Sequence, residues 1–294
     1  MARLCPGRPT SFVTWLGRVG WQLSHMSAED LRAGVRHGIA ELQACGTTHV
    51  GDVTNSWLSL EPLRNSGLSG IVYLEVLGQH KARALERLEE AKSEIDRARH
   101  FPGYGPLQVG LSLHAPYSCH PELLRAGAAW CRAEGVPLGI HVSESESETE
   151  LLLGGVVSSL GRAPTTLAQM AGILPASVPH MRPLPYLASL GVLEARPLLV
   201  HAVQATDEDI RLIAKARCAV VHCPRSNHLL SCGRMPLERY LAAGVPVYLG
   251  TDSRASSPDL DVRAEAEFAC RLHAGVVRPE QVTGLTHRPL NYAP

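Results

Sequence analysis

Four segments of the chain end a short apolar run on a side chain that can do chemistry. They are His114-Ala115-Pro116-Tyr117, His141-Val142-Ser143-Glu144, Val200-His201-Ala202 and Gly250-Thr251-Asp252-Ser253. The sharpest is His141 with Glu144. At a strand end the backbone begins to turn, so a residue three positions on can face the same pocket. An imidazole there can ligate a divalent ion while the carboxylate carries protons. Asp252 can ligate a metal and accept a proton from water. Its bland alternative is a helix cap or turn aspartate. A lone strand histidine is more often structural. His114, His141, His201 and Asp252 argue otherwise together, because each takes the same place in its own unit.

Other reactive types give weaker signals. His222, Cys223, Asn227 and His228 form a polar, proline-containing turn that can line the same pocket. Asn227 is suited to holding neighbouring loops through its amide. His222 and His228 read as structural, and Cys223 lacks a third orienting group for a thiol nucleophile. His49 and Asp52 lie on the first recognisable strand. Glu75 lies on the next, facing the interior as a packing or supporting group. Glu146, Glu148 and Glu150 read as a solvated loop and helix start and receive no role. His25, His37, His80 and His100 read as helix-face or loop residues.

The elements that must position these groups alternate. Ser27 opens a helix with a capping-box pattern, running to Ala44 and stopping before Gly46. Strands are expected at 47–53, 70–78, 107–114, 137–142, 197–201, 218–222 and 245–250. Helical spacing occupies 81–100, 121–134, 206–216, 236–243 and 260–273. Residues 154–184, rich in Gly, Ser, Pro and Thr, read as a long excursion over the strand ends, with one apolar helical stretch near Leu167. Seven strands alternating with helices predict a parallel sheet. A doubly wound sheet is the alternative, but no glycine-rich phosphate turn follows the first strand. The expected fold is an α/β, (β/α)8 TIM-type barrel, incomplete and missing its first strand.

Composition excludes several classes. The 294 residues are 45% hydrophobic, enough for a large core in one barrel domain spanning 1–294. Lys+Arg and Asp+Glu are both 28, so no basic field invites nucleic acid. Eight scattered cysteines form no Cys-x-x-Cys pair and suit reduced thiols in the cytoplasm. No apolar run reaches the ~18 residues of a membrane span.

HAPYS, HVSES, LLVHAV, HCPRSNHLL and LGTDSRAS together resemble successive motifs of the amidohydrolase superfamily, in its cytosine deaminase and chlorohydrolase branch. The likeness runs from about residue 10 to about residue 275. The 154–184 excursion, VHCPRSNHLL, FVTWL and YLEVLG look most like aminofutalosine deaminases, which act in a route to menaquinone. The resemblance implies a hydrolytic deaminase of an adenine-type base that takes a small-molecule substrate. It implies a divalent metal, zinc or alternatively iron. His141 and Asp252 would be ligands. Glu144 would be the proton shuttle and His201 would polarise the reacting centre. His114 would contact the substrate, as would Glu144 and His201. A homodimer is left open. Adenosylhomocysteine or guanine deaminases, chlorohydrolases and a non-catalytic binding barrel are the alternatives. The family's first-strand His-x-His does not occur in this chain. The expectation is therefore a barrel domain cut at its N-terminus and, by its ending, at its C-terminus.

Overall fold

The computed structural model describes residues 4–100 and 107–287. Seven strands form one parallel sheet: β1 His49–Thr54, β2 Ser69–Val76, β3 Leu107–Leu113, β4 Leu138–Val142, β5 Leu198–His201, β6 Ala219–His222 and β7 Val247–Leu249. Each pairs with the next in chain order, so there is no crossover within the sheet. The sheet curls into a half-barrel with helices on its outer side. The strands begin and end within about two residues of the sequence expectation. The two-residue differences fall at the start of β1, the end of β2 and the start of β7, at Val247. Pro246 precedes it and has no N–H for the ladder. Its carbonyl still accepts the Val220 N–H at 2.9 Å.

Period-two alternation divides the core into two layers. Val72, Leu74, Val76, Leu111, Leu113, Leu199 and Val220 pack outward against the helices. Ile71, Tyr73 and Leu198 face the lumen, with Ala219, Val221 and Tyr248 against them. Tyr73 occupies the lumen because its neighbours lack side chains. Cβ atoms built at Gly51, Gly110 and Gly139 all meet its ring. At Gly110 that atom would also sit 2.6 Å from the Pro137 carbonyl, which cannot move aside. Gly110→Ala should destabilise the fold by about 1–3 kcal/mol through overpacking, read as a lower urea midpoint with unchanged slope.

Among the described residues, β1 and β7 each pair with one strand only. On β1, His49, Gly51 and Val53 are exposed. The two edges are not left entirely open. The helix Ala28–Ala44 carries Glu41 across to the β7 side. Its carboxylate accepts the Leu260 N–H at 3.0 Å and lies 3.3 Å from the Arg254 guanidinium. The expected Ser27 capping box is present.

The helix Phe12–His25 has no counterpart in the sequence expectation. Glycines interrupt it, and its apolar residues are not confined to a buried side; Trp21 is 63% exposed. It is tied down at one end instead. Thr10 N–H donates to the Leu229 carbonyl, Trp15 indole N–H donates to the Ala255 carbonyl at 2.7 Å, and Phe12 packs on Leu230 and Cys232. Within 154–184 the helix Arg162–Met170 does form, but with its apolar residues outward, Leu167 being 65% and Met170 80% exposed.

The turn at 222–228 is also different. Residues Pro224–Leu229 form a short helix, with proline at its first turn where no N–H is needed. His222 points away from the lumen, and its Nε2 lies 3.3 Å from His273 Nε2. It therefore has the structural role expected of it, and does not line the pocket. Burial pushes the imidazole of His222 down to about 3 and that of His273 to about 4. In the unfolded chain both would titrate near ~6.5. Below that pH the unfolded chain takes up protons that the native state refuses, so stability falls as pH drops from ~6.5 toward the folded values. The fall in urea-measured stability between pH 7 and 5 should be shallower in His273→Gln. Equal falls in both proteins would contradict the coupling.

Candidate functional site

Strand-end geometry builds the site. His141 lies on β4 with its side chain on the lumen side, in step with Gly139. By the same alternation His201 would follow Leu199 outward. The backbone breaks the alternation: φ is +73° at His201 and +47° at Ala202. Ser143 after β4 (+50°) and Asp252 after β7 (+58°) are also left-handed. Such conformations cost a non-glycine residue about 1–3 kcal/mol each, and are held only where the surroundings over-determine them. Here hydrogen bonds do so. Ala202 N–H donates to the Val142 carbonyl and Gln204 N–H to the Ser143 carbonyl, at 3.0 and 2.8 Å.

Two clusters of ligand-capable atoms result. Glu144, His201 and Asp252 bring one atom each within 4.8 Å of one another, and Glu75, His114 and His141 do the same. The clusters adjoin, since the His141 and His201 rings stack with centroids 5.7 Å apart. Thus His114, His141, Glu144, His201 and Asp252 gather at one end of the half-barrel. Glu75 joins them directly, not as a group behind them.

The ring protons can be placed. His141 Nδ1 lies 2.9 Å from the His114 carbonyl, which can only accept, so Nδ1 carries the proton and Nε2 offers a lone pair. The Ser118 hydroxyl donates to the Ala115 carbonyl, so it accepts from His114 Nδ1 at 2.6 Å. His114 Nε2 is then also free. Burial pushes the His114 imidazole down to about 4 and lowers that of His141. Both are neutral near pH 7, as metal ligation requires. With the Asn227 amide donating to His201 Nδ1 at 3.1 Å, the His201 proton sits on Nε2, 3.4 Å from Glu144 Oε1. Asn227 thus reaches into the site, tying its helix to the end of β5 through its amide nitrogen.

Glu144 is buried, and its carboxyl is raised well above the usual range, first by burial and then by Asp252 and Glu148. Burial also pushes His201 down to about 4. Burial thus disfavours the charged form of both groups, which works against an ion pair between them. Asp252 is held by the hydroxyls of Ser226 and Ser256, both 2.7 Å from Oδ2, and by the Ser253 N–H on Oδ1. This donor set suits an anion.

Glu148 corrects the sequence reading of a solvated acidic run. It is buried, and its Oε2 accepts the Glu144 backbone N–H at 2.9 Å. Burial pushes its carboxyl up to about 7. Position i+4 from Glu144 was the available signal, masked by the alternating Glu146 and Glu150. Ser226 and Ser256 carried no distinguishing signal. Glu75 carried one, since it shares strand parity with the lumen residues Ile71 and Tyr73.

The donor chemistry fits a divalent cation. Imidazole Nε2 lone pairs and carboxylate oxygens converge with their outer atoms already committed. Among the described residues, no helix is long and apolar enough to cross a membrane.

Residues 7–287 match the model of the Amidohydrolase family. An aminodeoxyfutalosine deaminase of Deinococcus radiodurans is 40% identical over 250 residues, covering 83% of this chain and 59% of that protein. An aminofutalosine deaminase from Helicobacter pylori, solved with methylthio-coformycin, superposes with a TM-score of 0.78 at 22% identity, over 95% of this chain and 66% of that one. An adenosine deaminase from Xanthomonas campestris, solved with zinc, gives a TM-score of 0.72 at 24% identity, over 92% of this chain and 58% of that one. At those identities the two structures bear on the fold alone. The chain spans less than two thirds of the length of these relatives.

Proposed function

Because the chain belongs to the amidohydrolase family, we propose that its strand-end site hydrolyses the amino group from an adenine-type base, with aminofutalosine of menaquinone biosynthesis as the substrate. The observation that carries the reaction is the convergence of the buried Glu144 and His201 with the half-buried Asp252 within 4.8 Å. The substrate assignment is supported by the 40% identity to the Deinococcus radiodurans protein. A reduced, cytoplasmic setting suits eight cysteines that form no disulfide.

His141 and Asp252 would hold the metal, for which zinc is the first choice. When bound, the ion lowers the pKa of water from ~16 toward ~7. Asp252, anchored by two serine hydroxyls, accepts the proton of the attacking water. The water oxygen bonds to the ring carbon that bears the amino group. Glu144 enters the reaction protonated and donates to the adjacent ring nitrogen. It then takes up the proton from Asp252 and passes it to the departing ammonia, and the proton on the newly bonded oxygen leaves through Asp252 to restore the Glu144 carboxyl as the carbonyl forms. His201 places Nε2–H beside the reacting carbon and stabilises the charge that develops there. Glu148 fixes the backbone of Glu144. His114 sits where it can contact the base or its sugar. The exocyclic amine leaves as ammonia and the ring becomes a 6-oxo purine.

The test is ammonia release from aminofutalosine and from adenosylhomocysteine under identical conditions. Higher kcat/KM for aminofutalosine is expected. Release only from adenosylhomocysteine would overturn the substrate and keep the reaction. Release from neither would overturn both.

A further inference from the structure

We propose that Arg225 is a positioning residue for Asp252, anchoring the loop after β7 so that serines from two different elements reach one carboxylate. Arg225 lies in the short helix Pro224–Leu229, immediately before Ser226. Its guanidinium reaches the loop that joins β7 to the helix Val262–Leu272. Nη1 and Nη2 donate to the two Asp259 carboxylate oxygens at 3.0 and 2.6 Å, a paired fork that fixes orientation as well as distance. Nε donates to Glu265 Oε1 at 2.7 Å, and the Arg225 backbone N–H donates to Glu265 Oε2 at 3.0 Å. Glu265 is fully buried. A lysine ammonium could not span this fork and the second carboxylate together.

The anchored loop is the one that Asp252 opens in a left-handed conformation, which holds only where the surroundings enforce it. Ser256 and Ser257 N–H groups both donate to the Ser253 carbonyl, at 3.0 and 2.9 Å. That turn sets the Ser256 hydroxyl 2.7 Å from Asp252 Oδ2. The Ser257 hydroxyl ties the turn to the anchor by donating to the Asp259 carbonyl at 3.0 Å. Ser226 reaches the same Oδ2 at 2.7 Å from the helix of Arg225 itself. The Arg225 backbone therefore carries one serine, and its side chain holds the loop that carries the other. Arg225 acts on Asp252 through these two hydroxyls.

The consequence for catalysis rests on the reading of Asp252 as ligand and proton acceptor; the consequence for the loop does not. Arg225→Gln and Asp259→Ala test both in the full chain. Asp259 is 41% exposed, so its loss decides the matter if Arg225→Gln, which leaves Glu265 buried and unpaired, fails to fold. Hydrogen exchange of segment 253–257 should quicken at least about ten-fold in both variants, with β4 unchanged. Cobalt(II), titrated into the metal-stripped chain and followed by visible absorption, should bind about ten-fold more weakly, the low end of the loss for an outer partner of a ligand. On aminofutalosine, kcat should fall by a similar factor with KM nearly constant, because substrate contacts are left in place. Adding Ser256→Ala to Asp259→Ala should weaken cobalt binding by much less than the product of the two single effects, since both act along one chain of contacts. An ion pair with a merely structural role would lower the melting temperature and leave exchange, cobalt affinity and kcat of the folded protein at wild-type values; that result, or fully multiplicative losses in the double variant, would overturn the proposal. If the wild-type chain neither binds cobalt nor releases ammonia, the deaminase reading falls, and the exchange rates alone decide whether Arg225 holds the loop.

Discussion

Glu144→Gln should cut ammonia release from aminofutalosine by roughly 100- to 10,000-fold, the range that a positioned general acid–base group supplies. The substitution keeps the shape of the side chain and removes its ability to give and take a proton. Bound metal should not change, because Glu144 is assigned to proton transfer and not to ligation. Elemental analysis beside a turnover assay separates the two effects. KM should move little, since the lost interaction belongs to the transition state. Activity within a few-fold of the wild type would refute the shuttle. The burial that raises the Glu144 carboxyl gives the prediction its basis: an ordinary exposed glutamate would hold no proton to donate near pH 7.

His141→Ala should lose both metal and turnover. Its Nδ1 proton is committed to the His114 carbonyl, so the free Nε2 is its only other polar function. Removing the ring deletes one of the two residues proposed to hold the metal. It also opens a hole against the stacked His201 ring. Turnover should fall below detection, and metal per chain should fall well under that of Glu144→Gln. Circular dichroism should remain that of a folded α/β protein, because the ring lies at the strand end and not in the helix-facing core. Full metal content in this variant would remove His141 from the ligand set.

Much of this site was legible in the sequence, for a physical reason. A parallel barrel puts its reactive groups at one end of successive strands, so strand spacing alone groups His114, His141, His201 and Asp252. Alternation also puts Glu75 and Tyr73 on the same face. What could not be read was backbone geometry. Alternation sends His201 outward, and only the left-handed φ at His201 and Ala202 returns it to Glu144. The Glu146, Glu148 and Glu150 series looks uniformly solvated, yet the helix turn buries only Glu148 under Glu144. The helix Phe12–His25 was hidden because its hydrophobic residues do not all serve the core. The structural reading of His222 was legible, but not its partner, the His273 ring that it meets where the chain enters a short helix.

The central claim is that the cluster of Glu144, His201 and Asp252 performs hydrolysis and does not merely bind a base. Incubating the chain with aminofutalosine in ¹⁸O-labelled water tests it most directly, with ammonia and product mass measured together. The account predicts one ammonia per substrate consumed and one solvent oxygen on the ring carbon that lost the amine. Saturable binding of aminofutalosine with no ammonia and no label in the ring would contradict it and leave a binding protein.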